Sequence, residues 1–329
     1  MSALLGSPLD TAVIGVADLE ASLAFYRDVI GMTASAPVDW SGDAFAAIWH
    51  LPEGAGARAA FCHAGPDPVG RVLLVEFAAP GRLLVRENAE RRSYGLFNLN
   101  FYTPDIHAAH AELSARGYEF WSAPVEHAFT PEIGTPVEVI FEGPDAVPIN
   151  LVELKGGEPS SRIGEMRAFM AAFGHTAAGY SPVVTSAHCV RSRNAGIAFY
   201  GEVLGMSVII DEELFSDEAN HFLNTPAGAR THITFVQGAH MFGKVALSMP
   251  VNYAPPDLVP RAVAPNIGYI AQAFAVADLD AAEAAFAAVR DREVYAPRQS
   301  VDVPGLGPRQ VSVVRNPASG ALTWLMAQA

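Results

Sequence analysis

Hydrophobic and polar positions along this chain change period in a recurring order. Near the start, "TAVIGV" is a continuous apolar run of strand length. The following "DLEASLAFYRDVIGM" places Leu19, Leu23, Tyr26 and Ile30 at helical spacings, with Phe25 beside them, Asp18 in the N-cap position and Gly31 as the stop. Three further segments, "FAAIWHL", "RAAFCHA" and "RVLLVEFAA", are separated by Gly and Pro and read as strands. The unit is a strand, a helix and three strands.

The order returns three times. "LFNLNFYTPDIHAAHAELSARGYEF" gives a strand, a cap at Asp105, a helix and a stop at Gly117, closed by "VEVIFEGPDAVPINLVEL". A third unit starts at "VVTSAHCV", runs its helix from Asn194 to Leu204 with Gly205 after it, and closes with "THITFVQ" and "KVALSMP". A fourth spans "IAQAFAVADLDAAEAAFAAV" to "QVSVVRNPASGALTWLMA". Units one and three share a Phe-Tyr…Gly-Met phrase, whereas two and four share an Asp-[Ile/Leu] start and an Ala-rich helix. The larger repeat is therefore a pair of units, copied once. Residues 1–156 form the first pair, 157–180 a linker whose Ser161 caps the short helix "RIGEMRAFMAAF", and 181–329 the second pair. Unit one is expected to pair with two, and three with four.

At 329 residues the chain exceeds a comfortable single core, and with half its residues hydrophobic and 17% charged its composition is globular. The formal charge of −14, without a basic helix or Lys/Arg-rich run, disfavours nucleic acid and anionic lipid. The run "RENAERR" reads as a solvated loop. No stretch is apolar enough to span a bilayer, and "MSALLGSPLD" lacks the features of a signal peptide. Cys62 and Cys189 make no disulfide framework and read as small core residues, so a cytoplasmic location is expected. The expected partner is a small-molecule ligand or substrate, and a homodimer is compatible with the chain.

Asp18-Leu19-Glu20 with Phe25-Tyr26 and Gly31-Met32, echoed by Phe199-Tyr200 and Gly205-Met206, together with "GPDAVPINLVEL", resembles the vicinal oxygen chelate superfamily of glyoxalase I, bleomycin-resistance proteins and type I extradiol dioxygenases. The resemblance covers almost the whole chain. It implies an α+β fold of four tandem βαβββ modules paired into two cup-shaped mixed sheets, with metal ligands on the first and last strands of each module. The first-strand ligand position falls seven residues before the cap. Counting back gives Thr11, Asn98, Thr185 and Ala271, and the closing strands offer Glu76, Asn150, Met249 and either Thr323 or Trp324. Hydroxyl, amide and methyl groups do not replace imidazole for a transition metal. The expectation is a protein without the family's metal triad and without a cofactor.

Strand parity fills in the cups. If Asn98 faces inward, so do Asn100 and Tyr102, while Phe97, Leu99 and Phe101 face the helices. Thr11, Glu76 and Asn150 are assigned to the same cup, with Glu76 and Tyr102 as catalytic candidates and His50 at a cup mouth. Thr185, His232 and Trp324 line a second, more apolar cup. His107 and His110 read as a solvated helix face and His188 as a core histidine. The function expected is binding or metal-independent transformation, of lyase or isomerase type, of a small aromatic or hydrophobic metabolite. An extradiol dioxygenase with non-standard ligands and a non-catalytic sequestering protein are the alternatives.

Overall fold

The computed structural model describes residues 6–87 and 92–328. Unit one contains β1 (Thr11–Gly15), α1 (Leu19–Ala24), β2 (Thr33–Ala34), β3 (Val38–Ser41), α2 (Asp43–Trp49), β4 (Gly56–His63) and β5 (Arg71–Phe77). Unit two contains β6 (Gly95–Tyr102), α3 (Ile106–Ala115), β7 (Val125–Glu126), β8 (Thr135–Glu142) and β9 (Pro148–Gly156), and α4 (Arg162–Phe173) follows it. Unit three contains β10 (Thr185–Cys189), α5 (Arg193–Ala198), β11 (Ser207–Leu214), α6 (Asp217–Leu223), β12 (Thr231–Gln237) and β13 (Lys244–Pro250). Unit four contains β14 (Gly268–Val276), α7 (Leu279–Ala288), β15 (Glu293–Val303), β16 (Gly307–Arg315) and β17 (Leu322–Ala327).

Repeated sequence produces repeated local geometry. Asp18, Asp105, Ser192 and Asp278 cap α1, α3, α5 and α7 by accepting from first-turn N–H groups, which would otherwise lack partners. The Phe-Tyr phrase widens the last turn of α1 and α5 into a π turn, Phe25–Val29 and Phe199–Val203. Its two rings meet edge to face both times, at 5.1 Å in unit one and 5.3 Å in unit three. Gly31 and Gly205 take positive φ at the exit, where a β-carbon would be strained.

The two mixed sheets do not follow the halves of the sequence. One has the order β15-β16-β17-β14-β1-β5-β4-β2, with β3 added on β4, and so joins units one and four. The other, β11-β12-β13-β10-β6-β9-β8-β7, joins units two and three. The expected pairing of one with two and three with four is therefore corrected. Each joint is antiparallel, between β1 and β14 and between β6 and β10. All four first strands carry similar apolar patterns, and a pattern that fits every partner selects none.

A second correction concerns "FAAIWHL", expected as a strand. Its first five residues, Phe45–Trp49, lie in α2. Phe45, Ile48 and Trp49 stand at i, i+3 and i+4, so one face of the helix is apolar, and His50 ends it in the left-handed region.

The backs of both sheets share one core with the helices: Ile14 and Leu74 come from one sheet, Leu99 and Leu151 from the other, and Tyr26, Ile106, Tyr200 and Phe286 from the helices. A polar chain crosses this core. Tyr200 donates to Gln272 Oε1 (2.7 Å), Gln272 Nε2 donates to Ser186 Oγ (2.9 Å), and Tyr269 meets the same hydroxyl at 2.9 Å. His188 Nδ1 lies 3.0 Å from the Tyr200 hydroxyl, and burial pushes this histidine down to about 3, so the ring is neutral.

Candidate functional site

The concave faces of the two sheets have opposite contents. In the sheet of units one and four, α2 lies in the cup and fills it with Phe45, Ile48 and Trp49, packed on Trp40, Phe77 and Trp324. Ring centroids of Trp49 and Trp324 are 5.0 Å apart, and Trp40 lies 6.4 Å from each. Small residues on the sheet, Ala59, Ala271 and Ala273, make room for these rings, and all three are fully buried. Trp324 is thus a core residue of a closed cup.

The sheet of units two and three keeps a cavity of about 100 Å³. Asn98, Asn100 and Tyr102 project into it from alternate positions of β6, as strand parity requires, joined by Asn150 from β9 and Glu138 from β8. Across the joint, Thr185 comes from β10 and Lys244 from β13. Phe222 and Leu223 on α6, the counterpart of α2, cover the cavity, and Ile163 and Met166 on α4 wall one end. The segment between the halves is therefore part of the site.

Polar contacts inside the cavity are few and specific. Asn98 donates to Asn100 Oδ1, and Asn150 donates to Glu138 Oε2 at 2.6 Å, leaving Asn150 Oδ1 buried without a partner. An orphaned acceptor of this kind costs about 1 to 3 kcal/mol until something donates to it. The Tyr102 hydroxyl donates to Met166 Sδ at 3.3 Å, and burial, reinforced by Glu138, holds the phenol well above its usual range. His127 is buried in the wall with Nε2 unpartnered, and burial lowers its pKa. Arg92 donates to Ser248 Oγ and lies over the Phe97 ring, 5.0 Å from its centroid.

Lys244 is 1% exposed. Its Nζ donates to the Met241 carbonyl and stands 5.6 Å from the centroid of the Tyr102 ring. Burial pulls this amine from 10.5 down to about 7. In unit one the matching strand opens with Arg71, register partner of Thr11 as Lys244 is of Thr185. Arg71 is neutralised by Asp10, whereas Val184 stands in the Asp10 position of unit three. Among the described residues no carboxylate pairs with Lys244.

Of the residues singled out from sequence, Asn98, Asn100, Tyr102, Asn150 and Thr185 are brought together here. The others lie elsewhere. Glu76 is out of phase with the cup: Val13 pairs with Leu73 as Asn100 pairs with Asn150, so Leu73 is the true counterpart and Glu76 faces the helices. There it meets Arg58 at 3.4 Å, and Arg58 also holds Glu20. His50 caps α2 and stacks on Tyr295 with centroids 3.9 Å apart. His232 points away from the cavity, between its inward neighbours Thr231 and Ile233, to meet Asp211 at 2.9 Å. Thr11 is buried and donates to Asp10 at 2.5 Å, in the other sheet. Sequence reasoning missed Lys244, Glu138, His127 and Arg92. Arg92 ends the run "RENAERR", expected as a solvated loop, whose residues 88–91 lie outside the described residues; Arg92 itself is buried.

Register identifies the positions where the superfamily would place metal ligands in this cavity as Asn98, Thr185, Asn150 and Ala246. Amide, hydroxyl and methyl groups do not fit a divalent transition metal. Among the described residues no three His, Cys, Asp or Glu side chains converge on one point.

Residues 9–151 match the model of the Glyoxalase/Bleomycin resistance protein/Dioxygenase superfamily. A point variant of glyoxalase I from Zea mays overlays with a TM-score of 0.62 at 14% identity, over 98% of this chain and 92% of that one. The parent Zea mays glyoxalase I gives 0.60, also at 14% identity and with the same coverage. A protein from Bacillus subtilis described as a candidate dioxygenase gives 0.56 at 11% identity, over 99% of this chain and 86% of that one. No curated protein matches the chain. At these identities the overlays establish a shared fold.

Proposed function

Because residues 9–151 match the model of the glyoxalase/bleomycin resistance protein/dioxygenase superfamily and the whole chain shares the fold of glyoxalase I, we propose that it binds and transforms a small aromatic or otherwise hydrophobic molecule in the cup of units two and three. The observation that carries this reading is the contrast between the cups. One is filled with indole and phenyl rings, and the other holds a cavity with apolar walls and a cluster of amides. Such a lining holds a flat apolar body and fixes one or two of its oxygens by hydrogen bonds.

Chemistry without the family's metal suits the groups present. Glu138, His127, Tyr102 and Lys244 all face the cavity; a neutral imidazole and an amine of lowered pKa can exchange protons near pH 7, while the Tyr102 phenol stays protonated and serves as a hydrogen-bond donor. That set favours a lyase or isomerase type of reaction over passive sequestration.

Saturation-transfer NMR with benzyl alcohol as probe tests the reading. The wild-type protein is expected to transfer saturation to the probe, and Ala187→Trp, which fills the cavity from β10, is expected to remove the signal. Equal signals from both proteins, or none from the wild type, refute it.

A further inference from the structure

Lys244 is the buried one of the chain's two lysines. Among twenty-one Lys and Arg residues there are only two lysines, Lys155 and Lys244. Lys155 is exposed and paired with Glu126 at 3.1 Å. Where this chain needs a permanent cation it uses arginine, as at Arg71 beside Asp10. At the equivalent position of unit three it has lysine, which unlike arginine can lose its proton, buried, facing a cavity and, among the described residues, without a carboxylate. A guanidinium there would stay charged at a large desolvation cost.

We propose that Lys244 is an amine nucleophile that holds a carbonyl ligand, a small aromatic aldehyde or ketone, as a Schiff base in the cup of units two and three. This rests on the assignment of that cup as the ligand site and adds the class of ligand and the covalent step. The Nζ lone pair forms a bond to the carbonyl carbon while the C=O π pair moves to oxygen. The oxygen leaves as water with the two hydrogens of the neutral amine, and a C=N bond remains. Amine plus carbonyl gives imine plus water, with no change in oxidation state.

The surroundings serve the step. Among the described residues Nζ has one acceptor, the Met241 carbonyl, and no donor, which leaves the lone pair of the neutral amine to the ligand. Desolvation supplies the neutral amine near pH 7, where an ordinary lysine is almost wholly protonated. The titratable and charged groups around it are Tyr102 on β6, His240 just before β13 and, on the far wall, Glu138 on β8. Arg92 also lines the cavity, hydrogen-bonded to Ser248 four residues farther along β13.

Reductive trapping with benzaldehyde and sodium cyanoborohydride at pH 7, read by peptide mass spectrometry, tests the proposal on the intact wild-type protein. Lys155 and the N-terminal amine are internal standards. The expected result is benzylation of Lys244 at least about tenfold faster than Lys155, suppressed by Ala187→Trp with Lys155 labelling unchanged. Labelling of Lys244 no faster than Lys155, or insensitive to Ala187→Trp, overturns it. In that event benzyl alcohol binding separates the two conclusions: retained binding leaves the cup as a noncovalent site, and lost binding removes the site as well.

Discussion

The environment of each side chain decides its chemistry here, and Lys244 is the clearest case. Its folded-state pKa of about 7 lies below the value of about 10 expected in an unfolded chain. Between those pH values the unfolded chain binds a proton that the folded one does not, so stability rises with pH across the window and the burial cost is full below it. In denaturant unfolding, Lys244→Met is expected to be more stable than the wild type at pH 6. The gap should narrow by roughly 1 kcal/mol per pH unit from pH 7 to 9. The amides give a second test. Asn150→Ala removes the orphaned Oδ1 from the cavity and is expected to weaken benzyl alcohol binding about fivefold or more in an NMR titration, whereas Glu76→Gln, on the helix side of β5, leaves it unchanged. Parity along β6 was enough to place Asn98, Asn100 and Tyr102 together, but Phe97, expected to face the helices, packs with Trp121, Ile140 and Phe222 on the cup side, where the register with β10 shifts. Parity failed for Glu76 because the phase of β5 depends on its pairing with β1, which no local pattern records.

One short helix accounts for the difference between the cups. In unit one α2 turns Phe45, Ile48 and Trp49 into the sheet, and in unit three α6 covers its sheet with Phe222 and Leu223 and leaves a cavity beneath. Trp49→Ala is expected to destabilise the protein by about 3 to 5 kcal/mol in chemical denaturation, because a fully buried indole is lost from a packed cup. The same variant leaves benzyl alcohol binding as it was, since the filled cup and the open one belong to different sheets. The position of each unit was legible from its cap and stop: Asp18, Asp105 and Asp278 initiate helices, and "THITFVQ" and "KVALSMP" coincide with β12 and β13. "FAAIWHL" was not legible as a helix, because a seven-residue apolar run fits either period until its partner is known.

At the scale of the whole molecule, the crossed pairing makes the two halves of the sequence interdependent. Residues 1–156 contribute β1 to one sheet and β6 to the other, and each strand needs a partner from the second half to close its joint. Expressed alone, 1–156 and 157–329 are each expected to lack a cooperative unfolding transition, and to recover one when co-expressed as an assembled pair. Independent two-state unfolding of either half refutes this. Four similar first strands made the fold class readable from sequence and the choice of partners unreadable, since that choice rests on long-range register and on the route taken by the connecting segments. The joining of all four units in a single polypeptide has its own consequence. Two identical two-unit chains crossing in this way would be bound by symmetry to build twin cups, so any tryptophan added to solidify one would block the other. Continuity of the chain removes that obligation: one cup is packed solid with rings, and the other keeps a cavity whose lining can change without disturbing its twin.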